Sequence, residues 1–255
     1  MLTDIRQRRT AEIVYQQGSA SVPELAKTLE VSEATVRRDL DQLAERGVLD
    51  RVRGGACRPR TVRAESDAAA FQVVAGQESA EKRAIAKAAA ALVKDGDVIA
   101  LDIGTTVHAM CQFLRSRELT VVTASLAVVR SLADAPTIDL VVMGGVLRPN
   151  YESMVGVLTE SCLRQVRVDV AFLGAAGVRP DGSVVDSTPS EVPIKRAMMD
   201  IATRRWLLVD HAKFPGIGFL EISNVEAFTG VITDRQPTPV QLTVSPSSSL
   251  EVLVP

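Results

Sequence analysis

Two groups of side chains in this sequence have the types and spacing to do chemistry. The first lies in "VSEATVRRDLDQLAERG", Val31 to Gly47, where Ser32 and Thr35 precede the adjacent Arg37 and Arg38. Guanidinium groups donate in pairs to guanine edges or to phosphates, and hydroxyls bond phosphate oxygens, so this set suits a nucleic acid. The second lies in "DIGTT", Asp102 to Thr106, where Gly104, Thr105 and Thr106 stand at a strand-to-helix turn. Backbone N–H groups, two hydroxyls and a helix N-terminus can receive an anion there. Lys213, in "DHAKF", can add a positive charge.

Each group needs elements to hold it. At ~100° per residue, Val36, Leu40 and Leu43 fall on one stripe of a helix. Ala34, Arg38, Asp41 and Glu45 lie nearly opposite, with Thr35 and Arg37 on the flanks. A face with small, hydrogen-bonding residues at its start lets a helix approach a major groove closely while arginines reach the bases. Periodicity alone suits a solvated amphipathic helix as well; the surroundings distinguish the two. Ser21 and Glu24 have capping-box spacing ahead of Leu25 and Leu29, Ser32 is the next cap, and Gly18 and Gly47 are helix stops. The connection from Glu30 to Thr35 then makes a helix-turn-helix. After it, "VLDRVRGGA" alternates apolar residues with Arg51 and Arg53 before a Gly-Gly turn, the pattern of a β-hairpin wing. An apolar stripe of Ile5, Ile13 and Val14 predicts one more helix at the start.

From Glu78 onward the pattern changes. "VIAL", "LTVV", "IDLVVM", "VDVAFL", "RWLLVD" and "GVITD" read as strands. Helices are expected over 80–93 and 107–115, from Leu126, and over 191–202, with Trp206 as a core anchor and Leu250 to Val254 as an edge strand. Near-continuous Val/Leu/Ile runs separated by helices predict a parallel sheet covered on both faces, a doubly wound α/β domain of Rossmann-like type. Ligands of such sheets bind beyond the carboxyl ends of the strands. The residues there are Asp102 to Thr106, Thr123 to Ser125, Gly144 and Gly145, Gly174 to Gly177, and Asp210 to Phe214. Singly, these glycines are turn formers and these hydroxyls helix caps. Their convergence on one sheet edge favours a small phosphorylated ligand. No G-x-G-x-x-G and no G-x-x-x-x-G-K-[ST] is present, so neither a dinucleotide nor a nucleoside triphosphate is indicated.

Composition agrees with this division. The 255 residues are 46% hydrophobic and 24% charged, which excludes a wholly disordered chain. The formal charge of -2 conceals an asymmetry: residues 1–63 hold 12 Lys+Arg against 9 Asp+Glu, and the remainder 17 against 22. A basic head on an acidic body suggests a polyanionic partner for the head. The expected organisation is a winged helix-turn-helix domain over 1–57, a linker over 58–77 with a short ordered piece at Phe71 to Val74, and an α/β domain over 78–255. Cys57, Cys111 and Cys162 are far apart and in no metal-ligand spacing, which reads as reduced thiols rather than disulfides or a metal site. No export signal and no long apolar span is found, so a cytoplasmic setting is expected.

The string "VSEATVRRDLDQLAERGVLDRVRGGA" resembles the winged helix-turn-helix signature of the DeoR family of bacterial transcriptional regulators. The resemblance continues through "EKRAIAKAAAALVKDGDVIALDIGTT", "VVMGGVLR", "VDVAFLGAAGV" and "VDHAKF", and so covers most of the chain. It implies that Ser32, Ala34, Thr35, Arg37 and Arg38 face double-stranded operator DNA, supported by Arg51 and Arg53, with Asp39 a local partner of a neighbouring arginine. It also implies a C-terminal sensor similar in fold to ribose-5-phosphate isomerase that binds a phosphorylated sugar. There Thr105 and Thr106, with Gly104 before them, match the phosphate loop, and Lys213 matches the lysine of the isomerases' D-x-S-K segment. Asp102 and Lys195 are hydroxyl or carbonyl partners, with Ser125 and Gly145 beside them. Ala124 stands where the family has asparagine, and Ala176 and Gly177 stand where the isomerases carry their acids. Without a positioned carboxylate, isomerisation lacks a proton acceptor. The expectation is a homo-oligomeric, cofactor-free repressor of a carbohydrate operon. The competing reading is a sugar-phosphate isomerase or deaminase, with Glu191 its one acid.

Overall fold

The computed structural model describes residues 6–7, 9–11, 13–14, 19–45, 48–57, 80–149, 151–246 and 248–255. Gly18, Gly47, the linker 58–77 and its piece at Phe71 to Val74 lie outside them. The chain divides into two compact units, 1–70 and 71–255.

In the first unit the described residues from Arg6 to Val14 are helical. Strand β1 (Ser19–Ser21) leads into helix α1 (Val22–Leu29), whose start is the expected capping box. The Glu24 N–H donates to Ser21 Oγ, and Glu24 Oε2 accepts from Ser21 N at 2.9 Å. Glu30 closes α1 in the left-handed region at φ 54°, with its N–H on the Ala26 carbonyl. That residue turns the chain into α2 (Glu33–Glu45). Strands β2 (Asp50–Val52) and β3 (Gly55–Cys57) form the wing. The sequence pattern missed β1, which pairs antiparallel with β3 and makes a three-stranded sheet of the hairpin. Val22, Leu25, Leu29, Val36, Leu40 and Leu49 build the core between helices and wing.

The second unit holds a seven-stranded, fully parallel sheet. Its strands in spatial order are β15 (Glu251–Leu253), β14 (Gly230–Ile232), β12 (Ala202–Leu208), β9 (Val168–Leu173), β4 (Val98–Leu101), β5 (Leu119–Thr123) and β6 (Ile138–Val142). The apolar runs of its strands are divided between two cores. In β9, Val170 and Phe172 pack on one face while Ala171 and Leu173 pack on the other, as the period of two requires. Helices α3 (Ala80–Ala91), α4 (Thr105–His108), α5 (Cys111–Leu114) and α6 (Leu126–Leu132) cover the Phe172 face, through Ile85, Val107, Leu114 and Val128. Helices α7 (Val157–Arg164) and α8 (Val192–Ile201) cover the other, through Leu163, Ile194 and Met198. This is the doubly wound arrangement.

Three features depart from the expected elements. The helix read over 107–115 begins two residues earlier, at Thr105, and is broken into α4 and α5. A hairpin of β7 (Val146–Arg148) and β8 (Ser153–Val155) follows β6, and α7 follows the hairpin. A small antiparallel sheet of β10 (Gly177–Val178), β11 (Ser183–Asp186) and β13 (Leu220–Asn224) sits apart from the large one. These strands are two to five residues long, too short for an alternating pattern to register.

Candidate nucleic-acid interface and sensor site

On α2 the residues sort by burial as the helical period demands. Val36, Asp39, Leu40 and Leu43 are buried, while Ser32, Ala34, Arg37 and Arg38 are exposed and Thr35 is half-buried. Ser32 caps the helix: its Oγ accepts from Thr35 N at 3.2 Å and lies 2.9 Å from Thr35 Oγ1. Arg37 forms an exposed pair with Glu33 one turn earlier, at 2.7 Å. Arg38 makes no ion pair with a described residue, so its guanidinium is the least committed on this face. The two wing arginines differ. Arg51 is tied within the unit, its Nε 3.0 Å from Asp41 Oδ1 and its Nη1 donating to the Gly55 carbonyl at 2.9 Å. Arg53 is exposed at the wing turn.

Asp39 is not the local partner expected. It is buried, and it accepts from the Arg6 Nε and Nη2 at 2.5 and 3.0 Å and from Gln7 at 3.3 Å. The aspartate after the arginine pair thus fastens α2 to the first helical stretch, 33 residues away. No local spacing could disclose a contact that the fold creates.

In the second unit the carboxyl ends of β9, β4, β5 and β6 lie side by side. Asp102 N donates to the Phe172 carbonyl at 3.1 Å, Thr123 Oγ1 donates to the Leu101 carbonyl at 2.7 Å, and Met143 N donates to the Thr123 carbonyl at 2.8 Å. Gly104, at φ 124°, begins α4 in a conformation that side chains rarely adopt. Thr105 is half-buried and Thr106 buried in its first turn. Lys213 is half-buried in a 3-10 turn, His211–Lys213, capped by the Asp210 side chain. Sequence reasoning passed over Lys82 at the start of α3. Burial lowers its pKa, Asp210 opposes this, and Lys213 adds to it, which places two ammonium groups within electrostatic reach of each other.

Asp102 and Lys195 are placed against each other rather than side by side in an open site. Both are buried, and the Lys195 Nζ donates to Asp102 Oδ2 and, at 3.0 Å, to the Gly174 carbonyl. Asp102 Oδ2 also accepts from Gly174 N at 3.0 Å, and Asp186 Oδ2 lies 3.8 Å from the ammonium. Burial alone would lower the Lys195 pKa; the carboxylates of Asp102, Asp186 and Glu191 outweigh it and hold it above the ordinary value. Glu191, buried at the start of α8, has its Oε1 engaged by Arg148 at 2.6 Å and Ser153 at 2.7 Å. Burial also pushes the Glu191 carboxyl up.

Two further residues have structural duties. Ser125 caps α6, its Oγ accepting from Val128 N at 3.3 Å. Gly145 admits no side chain, because a Cβ there would fall 1.9 Å from Thr159 Oγ1. His211, which has no visible partner in sequence, lies with its Nδ1 2.6 Å from Asp234 Oδ2. His108 lies 2.8 Å from Ser131 Oγ. Among the described residues, no cluster of three or more His, Cys, Asp or Glu is arranged to hold a metal, and no helix is long and apolar enough to cross a membrane.

Comparison with known proteins covers both units. Residues 6–62 match a DeoR-like helix-turn-helix domain, and residues 77–235 match the DeoR C-terminal sensor domain. Among curated relatives, the transcriptional repressor CsqR of Escherichia coli is 32% identical over 95% of this chain and 92% of its own. The L-fucose operon activator of Haemophilus influenzae is 31% identical over 87% and 88%, and the glycerol-3-phosphate regulon repressor of E. coli 32% over 89% and 88%. Of solved structures, ribose 5-phosphate isomerase A from Methanocaldococcus jannaschii aligns over 52% of each chain at 23% identity and a TM-score of 0.38. The full-length sorbitol operon regulator SorC of Klebsiella pneumoniae aligns over 92% of this chain and 97% of its own, at 13% identity and a TM-score of 0.39. With both of its units matched and a third of its residues shared along nearly its whole length, the chain belongs to the DeoR family of transcriptional regulators.

Proposed function

We propose that the chain is a one-component repressor of a carbohydrate-metabolism operon, released from its operator by a phosphorylated sugar or related metabolite. The observation that carries this is the outward face of α2: Ala34, Arg37 and Arg38 are exposed while Val36, Asp39, Leu40 and Leu43 are buried. In this reading residues 1–57 are the reader, 58–77 the linker and 78–255 the sensor. Arg38, Arg37, Thr35 and Ser32 meet DNA, Ala34 allows close approach, Arg53 adds a wing contact, and Arg51 holds the wing to α2.

In the sensor, Gly104, Thr105 and Thr106 receive the phosphate with Lys213 and Lys82 as counter-charges. Asp102 and Lys195 then position the strand ends beneath the sugar, Ser125 and Gly145 shape the neighbouring loops, and any change in the Asp102–Lys195 pair is felt by Gly174. Relatives named for a glycerol-3-phosphate regulon and an L-fucose operon support a carbohydrate metabolite. The metabolite releases DNA by binding the DNA-incompetent arrangement more tightly, since coupling is a difference of affinities. The chain acts as a cytoplasmic homo-oligomer without enzymatic turnover. Glu191, on which an isomerase would depend, already accepts from Arg148 and Ser153.

Gel-shift titration on DNA selected from a random pool, with and without a panel of sugar phosphates, tests both halves. Arg38→Ala is expected to weaken binding about ten-fold, the lower part of the range for one base contact. Thr105→Ala and Lys213→Ala are expected to bind DNA normally and ignore the metabolite. Retention of no DNA overturns the reader; DNA affinity unmoved by any sugar phosphate at millimolar levels overturns the sensor.

A further inference from the structure

The β7–β8 hairpin is fastened at the carboxyl edge of the large sheet. Leu126 N donates to the Glu152 carbonyl at 2.7 Å and Met154 N to the Ala124 carbonyl at 2.8 Å, which ties the hairpin to the turn after β5. From there it delivers Arg148 and Ser153 to Glu191 at the start of α8, and both bonds go to the same oxygen, Oε1. Glu191 Oε2 is buried and has no close hydrogen-bond partner among the described residues. A carboxylate oxygen taken out of water without a donor is costly, so it calls for an explanation.

Arg148 is likewise only partly used. Its guanidinium carbon lies 4.1 Å from the centre of the Tyr151 ring, which orients the plane, and its side chain keeps 17% exposure. A guanidinium carries several N–H donors, and beyond Glu191 it makes no hydrogen bond to a described residue. The pair belongs to the same polar region as Asp102. The Lys195 ammonium, bound to Asp102, is also within electrostatic reach of Glu191, and Asp102 stands just ahead of the Gly104–Thr106 turn. A line of polar groups thus runs from that turn through Asp102 and Lys195 to Glu191 and Arg148.

An acceptor oxygen beside a guanidinium with spare donors is matched by a group that donates and accepts at once. A hydroxyl does both. A carboxylate or phosphate only accepts, and it would set its charge against Glu191, with Asp102 and Asp186 close behind. We infer that Glu191 Oε2 and Arg148 form a second subsite of the sensor, which takes a hydroxyl at the far end of the metabolite and turns away a second anionic group. The inference rests on the proposed phosphate site and narrows its ligand to a monophosphate with an uncharged, hydroxyl-bearing tail, against bisphosphates and phosphorylated sugar acids.

The test is calorimetric titration of the full chain, without DNA, with three matched pairs: glycerol 3-phosphate and 3-phosphoglycerate, erythritol 4-phosphate and erythronate 4-phosphate, glucitol 6-phosphate and 6-phosphogluconate. Within each pair a terminal CH2OH is replaced by a carboxylate. For the pair bound best, the wild type is expected to favour the alcohol at least about ten-fold, because like charges juxtaposed in a buried site are strongly disfavoured. Glu191→Gln keeps the shape and an oxygen for Arg148 and Ser153 but offers an N–H where the carboxylate only accepted, so the preference should fall to within about three-fold or reverse. Loss of a merely structural contact would weaken both members alike and leave their ratio at the wild-type value. A wild type that binds the acid as well as the alcohol, or a ratio unchanged in Glu191→Gln, overturns the subsite and leaves the phosphate site standing. No heat with any of the six compounds overturns the subsite together with the phosphate site beneath it.

Discussion

Lys195→Met removes the buried ammonium whose charge faces Asp102, Asp186 and Glu191, while keeping much of the side-chain volume. Lys195 and Asp102 are 3% and 1% exposed, so water cannot replace the lost partner. Asp102 Oδ2 keeps the Gly174 N–H at 3.0 Å, and Asp102 Oδ1 has no close hydrogen-bond partner among the described residues. Breaking a buried pair from one side costs about 3–5 kcal/mol, and the retained Gly174 bond sets the expectation at the lower end, about 3 kcal/mol. For a unit of this size that is a fall in Tm of about 6–12 °C. Trp206 is the single tryptophan of the chain and is buried in the second unit, so its fluorescence reports this unfolding in the intact protein. The cost must also depend on pH. Burial already pushes the Asp102 carboxyl up against the pull of Lys195, and the variant raises it further. A carboxyl whose folded pKa exceeds its unfolded value of about 3.9 contributes stability below that value, lost as pH rises through the folded pKa. The deficit against the wild type should therefore narrow between pH 7 and pH 5. A deficit below about 1 kcal/mol at pH 7, where a buried pair should cost at least three times as much, or one that grows on acidification, would refute the pair's role in holding the strand ends.

Two further outcomes follow from the same kind of reasoning. Asp39→Ala removes the buried acceptor of the Arg6 guanidinium and of the Gln7 amide and should cost the first unit about 2 kcal/mol, as the loss of a hydrogen bond between charged groups does. Hydrogen exchange on α2 should rise and DNA affinity fall, although Asp39 faces inward; unchanged exchange would mean the contact does not anchor the helix. Cys111, with its thiol pushed up to about 12 by burial, should resist alkylation at pH 8 until the second unit unfolds. Mass spectrometry that finds Cys111 modified as fast as the half-buried Cys57 and Cys162 would contradict this.

Much of the fold was legible because its signals are local. The capping box at Ser21, the stripe of Val36, Leu40 and Leu43, and the strands from "VIAL" to "GVITD" depend on neighbours in sequence, and even the edge strand at Glu251–Leu253 appears where its pattern lies. Less of the site was legible. Thr105 and Thr106 stand where a strand-to-helix turn must put them, but Lys82 could not be linked to Lys213, since 130 residues of chain separate them. The β7–β8 hairpin that carries Arg148 and Ser153 to Glu191 was missed because its strands are three residues each.

The sequence by itself determined which elements form, which helix shows arginines outward, and to which family the pattern belongs, because periodicity and capping act over a few residues. Only the tertiary structure decided the partners of the ionisable groups. Asp39 turned from a local neighbour into an anchor for Arg6, Arg51 into a brace to Asp41, and Asp102 and Lys195 from two ligand contacts into one buried pair. A charge removed from water must find its counter-charge wherever the fold brings one, and that distance is not written in the spacing of the chain.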